Sequence, residues 1–254
     1  MTHLRQRLIS LDVSTLDLSA SAAQVLAWAQ AEESRTVCAA NVHMVMEAHD
    51  DPDFQAVVNG ADLVTPDGMP LIWGLRGLGH RNPTRVCGPD LTLEVCRRAA
   101  EAGVPVGFYG SQPSVLEALC AALRRRFPAL SIAYAVSPPF RPLSDAEQAA
   151  TLHELRTSGA RILFIGLGCP RQERWMAAHR GRVPAVMLGV GAAFDFHAGT
   201  LRQAPHWMQR SGLEWAFRLA MEPRRLWKRY AKHNPRYLAL LAWQLIGPRS
   251  GRPS

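Results

Sequence analysis

The stretch LVTPDGMPLIW, residues 63–73, sets one carboxylate, Asp67, between Pro66 and Gly68 and between two apolar runs. Two readings fit it. Proline fixes the entry to a turn, aspartate tolerates turns and glycine accepts positive φ. Alternatively, a carboxylate at the tip of a buried strand is a general base, its pKa lifted by burial toward a useful range. Other polar residues stand at comparable places. Asn41 closes the run RTVCAAN and would cap a helix or face a ligand. Arg85 precedes a helix in RVCGPDL, with Asp90 as an acid close in sequence. Gln172 and Glu173 open the helix RQERWMAAH, where a carboxylate complements the helix dipole.

Glycine-rich turns follow two strand-like runs, GLGCPRQ (166–172) and GVGAAFD (189–195). Neither completes a dinucleotide fingerprint: the sixth place holds Arg171 or Phe194, and no acid stands where a ribose would need one. Backbone amides at such turns and nearby helix N-termini still suit a diphosphate. Tight packing of helix on strand is the alternative. DDPDF (50–54) contains a D-x-D pair, but Asp51 followed by Pro52 reads as a helix cap with a first-turn proline. His43 and Glu47 have i,i+4 spacing with no third ligand apparent, so no metal site is expected. Arg218, Arg225, Lys228 and Arg229 recur at near-helical spacing among Trp215, Trp227 and Tyr230. They form a solvated face, or a basic and aromatic surface for nucleic acid.

These residues need elements to position them. VPVGFYG (104–110), LSIAYAV (130–136), RILFIGLG (161–168) and PAVMLGVG (184–191) read as strands, as do RTVCAAN (35–41) and ADLVT (61–65). Between them lie helical patterns at 88–103, 114–127, 144–159 and 171–179. Repeated β–α–β units imply a parallel sheet covered on both faces, so the expected class is α/β with a Rossmann-like core over 1–199. Residues 200–254 lose the strand signal. GLEWAFRLAM, PRRLWKRYAKH and NPRYLALLAWQLIG read as three short helices, Asn234–Pro235 capping the last. That last run is about half the roughly 20 residues a bilayer span needs. Its aromatic residues and the basic run before it suit an interfacial helix instead.

Composition narrows the classes. With 254 residues, 48% hydrophobic and 20% charged, the chain is a folded protein rather than a disordered one. Its start lacks the apolar core of a secretory peptide. Five cysteines without a CxxC pair argue against a disulfide framework and for a reducing cytoplasm. The formal charge of +8 resides in the tail, where eleven Lys/Arg face two acids, Glu214 and Glu222; the rest holds 18 bases and 19 acids. Such a tail fits a phosphate-bearing partner.

The segments ANVHMVMEA, ADLVTPDGMPLIW, RVCGPDL, GLGCPRQERW and GVGAAFDFHAGTLRQAPHWMQRSGLEWAFRLAMEPRRLWKRY resemble the WecG/TagA/CpsF family, glycosyltransferase family 26, in order over roughly residues 35–230. The resemblance implies an inverting transfer of a sugar from a UDP-sugar to a polyprenyl-diphosphate-linked GlcNAc at the cytoplasmic membrane face, with no cofactor and no essential metal. It places Asp67 as the base. Asn41, Arg85 and Gln172 match the family's polar pocket positions, and Arg218, Arg225 and Arg229 its appendage arginines. Gly110, Ser111, Gly166, Gly168 and Asp195 are the expected nucleotide contacts. N-acetylmannosamine is the favoured sugar, its uronic acid and glucose the alternatives. The expected partners are donor, acceptor and an anionic membrane surface, a homo-oligomer being compatible and nucleic acid not expected. Catalysis would then be gated by docking of a membrane-binding appendage at 200–254. One departure is Ala39, where members often carry threonine. A basic nucleic-acid-binding module and a non-catalytic membrane adaptor are the rivals from other classes.

Overall fold

The structure, a computed structural model, describes residues 5–247; residues 1–4 and 248–254, which include the last part of the basic tail, lie outside it. A short hairpin comes first, β1 (Arg5–Leu8) and β2 (Leu11–Ser14). Then follow α1 (Leu18–Gln30), β3 (Arg35–Ala40), α2 (Val42–Asp50), α3 (Pro52–Asn59), β4 (Leu63–Pro66), α4 (Met69–Gly77) and α5 (Gly88–Ala102). The chain continues through β5 (Val106–Gly110), α6 (Pro113–Arg126), β6 (Ile132–Val136), α7 (Asp145–Thr157), β7 (Ile162–Gly166), α8 (Arg171–His179) and β8 (Val186–Gly189). It ends in helices: α9 (Ala193–Ala198), α10 (His206–Arg210), α11 (Glu214–Met221) and α12 (Pro223–Ile246).

Six strands form one sheet in the order β4-β3-β8-β7-β5-β6, and every pairing in it is parallel. The expected α/β, Rossmann-like core is therefore present. The central strands are apolar on both sides, as a doubly covered sheet requires: Ile162, Leu163, Phe164 and Ile165 of β7 are all buried. One face packs Met44, Phe54, Leu71 and Met187; the other packs Leu91, Phe108, Leu119 and Phe194. Parallel strands align their carboxyl ends along one edge, and that edge gathers Asn41, Asp67, Ser111 and Gly166.

Local signals hold where they are local. The Asp51 carboxylate accepts from the Phe54 amide with Pro52 in the first turn of α3. Ser144 and Glu147 close a capping box at the start of α7. All five cysteines are free.

The tail departs from expectation. The second and third expected helices are one, α12, which runs through Pro235. A proline inside a helix removes a donor and usually breaks it. Here burial on one side runs through the site, with Leu226, His233, Tyr237 and Leu241 all buried. Beyond the proline, Tyr237 Oη donates to Pro70 O at 3.0 Å and Arg236 forks onto Asp50 at 2.6 and 2.8 Å. These anchors override the break. Asn234 is consequently mid-helix, not a cap. The hairpin joins the same seam: the Ile9 amide donates to Gln244 Oε1 at 2.9 Å, and Gln244 Nε2 donates to Arg7 O at 3.0 Å.

Candidate active site

Asp67 follows β4 directly, and its amide donates to Ala40 O at 2.8 Å, so the turn is fastened to the neighbouring strand. Gly68 and Pro70 then start α4. The side chain, 22% exposed, faces a cavity of about 110 Å³. Burial pushes the carboxyl up to about 6, with Arg85 opposing and Glu214 reinforcing the shift. The TPDG segment is a strand end running into a helix, with Gly68 extended at φ −117° as the cap of α4 rather than at positive φ, and it presents a carboxylate whose pKa burial raises.

Arg85 binds the turn twice. Nε donates to Asp67 O at 2.6 Å, while Nη2 lies 3.5 Å from Asp67 Oδ1. Its short ion pair is elsewhere, from Nη2 to Glu214 Oε2 at 2.7 Å, and Nη1 donates to Gln209 at 3.1 Å. Asp90, the acid near in sequence, is not among these partners; it is exposed in the first turn of α5. Asp67 is therefore ion-paired with Arg85 only at 3.5 Å, longer than the 2.7 Å pair Arg85 makes with Glu214. Its guanidinium neighbour is held mainly by an acid from the C-terminal helices.

The C-terminal helices supply the rest of the wall. Arg218 of α11 and Arg229 of α12 line the cavity with Glu214, Trp215 and Tyr230. Gly212, at φ 77°, lets the chain turn there, and a Cβ on it would meet the Trp73 ring at 2.6 Å. The Arg218 guanidinium lies over Phe196 and that of Arg229 over Tyr230, at 5.8 and 5.9 Å. The Nε of each is buried without a hydrogen-bond partner. Two half-buried guanidinium groups, each with a spare buried donor, are groups of the kind that recognise diphosphate oxygens. Arg225 is not part of it: its side chain is 69% exposed and pairs with Glu222 at 2.7 Å.

From the core, Asn41 caps α2, its side chain accepting from the Met44 amide at 3.2 Å, and also lines the cavity. Ala39 sits on β3 in register with Thr65, whose hydroxyl donates to Val86 O at 3.0 Å. Gln172 does not reach this cavity. It is buried under the turn after β7, accepting from the Gly168 amide at 3.2 Å and donating to Glu173 at 2.7 Å. Burial pushes Glu173 up to about 7.

Ser111 and Gly166 line a second cavity, about 420 Å³, with Tyr109, Phe140, Arg171 and Trp175. The Tyr109 and Trp175 rings stack at 4.9 Å. Gly110, at φ 127°, comes so near Gly166 that a Cβ would meet its carbonyl at 2.6 Å. The Ser111 amide donates to Gly166 O at 3.1 Å. The Ser111 and Gly168 amides, expected to meet phosphate, are thus engaged within the fold. Asp195 lies on α9, its carbonyl accepting from Thr200 and Leu201, and lines neither cavity.

His43 and Glu47 do acquire a third potential ligand. His233 of α12 brings the donor atoms of all three within 4.8 Å of one another. Both histidines line the Asp67 cavity. Burial, then the charges of Arg229 and other neighbours, pushes His43 down to about 3, and burial also lowers His233.

The sequence matches the "Glycosyl transferase WecG/TagA/CpsF family" over residues 6–251. The chain belongs to this family. It is accordingly a glycosyltransferase, of a family that serves cell-surface polysaccharide synthesis. Among the described residues no helix is long and apolar enough to cross a membrane.

Sequence reasoning passed over Gln209, Glu214, Tyr230 and His233 as site residues. Glu214 lies in GLEW, one of the segments that carry the family resemblance, and that was its available signal. His233 had none, because only the packing of α12 on α2 makes it a neighbour of His43.

Proposed function

We propose that this glycosyltransferase moves a sugar, with inversion, from a UDP-sugar to a polyprenyl-diphosphate-linked GlcNAc. N-acetylmannosamine is the donor sugar we favour, its uronic acid and glucose being the alternatives. The observation that carries the reading is a raised-pKa carboxylate, Asp67, sharing one cavity with the partly unpaired guanidinium groups of Arg218 and Arg229.

The chemistry follows from that arrangement. Above pH 6 Asp67 is mostly ionised and accepts the proton of an acceptor hydroxyl. The hydroxyl oxygen attacks the anomeric carbon from the face opposite UDP, and the bond to the diphosphate breaks with its electron pair leaving on UDP. The anionic carboxylate also steadies oxocarbenium character at the sugar. Charge growing on the diphosphate is met by Arg218 and Arg229, so in this reading the leaving group needs no metal. Arg85, fixed by Glu214 and Gln209, orients the turn that carries Asp67.

The second cavity suits the nucleoside, with the Tyr109 and Trp175 rings beside the base. It opens at the carboxyl ends of β5 and β7. β4, which carries Asp67, lies three strand spacings from β7, about 14 Å, so the ribose and the diphosphate together would span the step. For the acceptor lipid, an apolar groove of about 560 Å³ between α4 and α12 shares Val42, Pro70 and Tyr230 with the Asp67 cavity. Exposed Trp227, Trp243 and Ile246 on α12, with Arg224 and Lys228 nearby, support peripheral docking on an anionic membrane at its cytoplasmic face.

The test is a screen of UDP-sugars against a polyprenyl-diphosphate-GlcNAc acceptor, read by mass spectrometry. The wild-type chain should form one glycosylated product, and Asp67→Asn should form it at least about 10²-fold more slowly while still binding UDP-sugar. Turnover by Asp67→Asn at the wild-type rate would overturn the assignment. Against the nucleic-acid reading, Trp215 and Tyr230 meet edge to face at 6.0 Å, and both line the cavity rather than standing free for stacking on bases.

A further inference from the structure

We propose that His43, Glu47 and His233 bind a divalent transition metal of the zinc class, bridging the core helix α2 to the C-terminal helix α12. Two imidazole nitrogens and one carboxylate are a common donor set for such ions. His43 and Glu47 stand one helical turn apart, so both side chains leave the same face of α2. His233 comes from across the seam. The Glu47 Oε1 atom lies 3.7 Å from His43 Nδ1 and 3.4 Å from His233 Nε2. Those separations are long for hydrogen bonds. They are close to the spacing of about 3.3 Å between two ligands that hold one zinc ion tetrahedrally with bonds of about 2.0–2.1 Å, and the whole cluster, whose donor atoms lie within 4.8 Å of one another, would close around the ion by side-chain rotation.

A second observation points the same way. His43 Nδ1 is buried and has no hydrogen-bond partner. Buried polar atoms are nearly always satisfied, and an orphan calls for an explanation such as an ion. A metal bond would satisfy it. The charged groups facing the cluster oppose a loosely held cation. Arg229 and Lys232 approach from α12, and the Asp50 carboxylate is already matched by Arg236 at 2.6 Å and Lys232 at 3.5 Å. Only an ion bonded directly to imidazole would overcome that field, which favours zinc-class metals over magnesium or calcium. The role is a clamp. The ion would seat α12, and with it Arg229, against the core; it would not take the charge of the leaving diphosphate, which stays with the arginines. This clamp lies beside the cavity assigned above, but its test reads metal binding and is independent of that assignment.

The experiment uses the full chain without an affinity tag, stripped with a chelator and then titrated with Co²⁺. Visible absorption is the readout, and Zn²⁺ serves as competitor. One Co²⁺ per chain should bind and be displaced by Zn²⁺. His233→Ala, His43→Gln and Glu47→Gln should each weaken binding at least about tenfold. His49→Ala, an exposed histidine on the same helix, should change it less than about twofold. Zn²⁺ should raise the Tm of the wild-type chain and not that of Glu47→Gln, whose shape is conserved. Thermal melts of the metal-free variants show that each is folded. Absence of saturable one-to-one binding overturns the proposal, as does affinity unchanged in the three ligand variants or lost equally in His49→Ala.

Discussion

The two cavities at the carboxyl edge of the sheet are built from similar parts and end in opposite states. Around Ser111 and Gly168 the backbone donors are engaged, the Ser111 amide with Gly166 and the Gly168 amide with Gln172, and what is left over is an acceptor, the buried Glu173 Oε2. Around Asp67 donors are left over. The carboxyl is raised by burial, and Arg218 and Arg229 each keep an unpaired Nε. An unpaired buried donor costs about 1–3 kcal/mol, so a fold retains it where a ligand will use it. The proposed function uses this contrast by placing the chemistry in the first cavity and the nucleoside in the second.

The largest effect expected from breaking this contrast is Asp67→Asn. Loss of a general base should lower kcat about 10²–10⁴-fold in a continuous UDP-release assay. Stability should move the other way. The folded carboxyl titrates at about 6 against 3.8 for an unperturbed one, so between those values the native state holds the proton that the unfolded chain has released. Asp67 therefore costs stability as pH rises from 3.8 to about 6, and the cost persists above. Asp67→Asn should melt at the wild-type temperature or higher at pH 7, and at no advantage at pH 3.5. A variant that lost activity because it unfolded would show the reverse.

Next in size is the arginine pair. Arg218→Ala and Arg229→Ala should each lower kcat/KM about 10²–10³-fold, the usual loss when a donor to developing negative charge is removed. Arg225→Ala, on an exposed side chain, should stay within about twofold. These substitutions are cleaner than cutting the chain near residue 200, which would also strip Tyr237 and Leu241 from the core they help to bury. A smaller effect is the pH dependence: the kcat of the wild-type chain should climb as Asp67 ionises, with an inflection near pH 6 that Arg225→Ala retains. The smallest is Trp175→Ala in the second cavity. If that cavity only shapes the nucleoside, the donor KM should rise about 3–10-fold with kcat little changed.

How much of this was legible in the sequence divides along the same line. The strand and helix alternation, the Asp51 cap and the Ser144–Glu147 box depend on residues a few positions apart, and they fold as they read. Asp67 was only half legible locally, since proline, aspartate and glycine also spell a turn, and the family resemblance was what singled it out as a base. The continuity of α12 was not, since local rules favour a break at Pro235 and only distant anchors such as Asp50 and Pro70 reverse it. Arg85 was given Asp90 because that acid is near in sequence. Its partner Glu214 is 129 positions away, a separation that no periodicity encodes. The hairpin β1–β2 was unread for a related reason: Ile9 takes φ 55°, uncommon for a β-branched residue, and its amide is held from the far end of the chain.

That last bond has a consequence for biosynthesis. It joins residues 235 positions apart, so the loop it closes spans almost the entire polypeptide. Closures of that span come late in folding. We expect ribosome-bound chains halted before residue 223 to bury the sheet yet release no UDP, whereas full-length chains freed from the ribosome gain turnover as the last helix docks. A halted chain that is already active would show that the helix is an ornament to the enzyme rather than its final part.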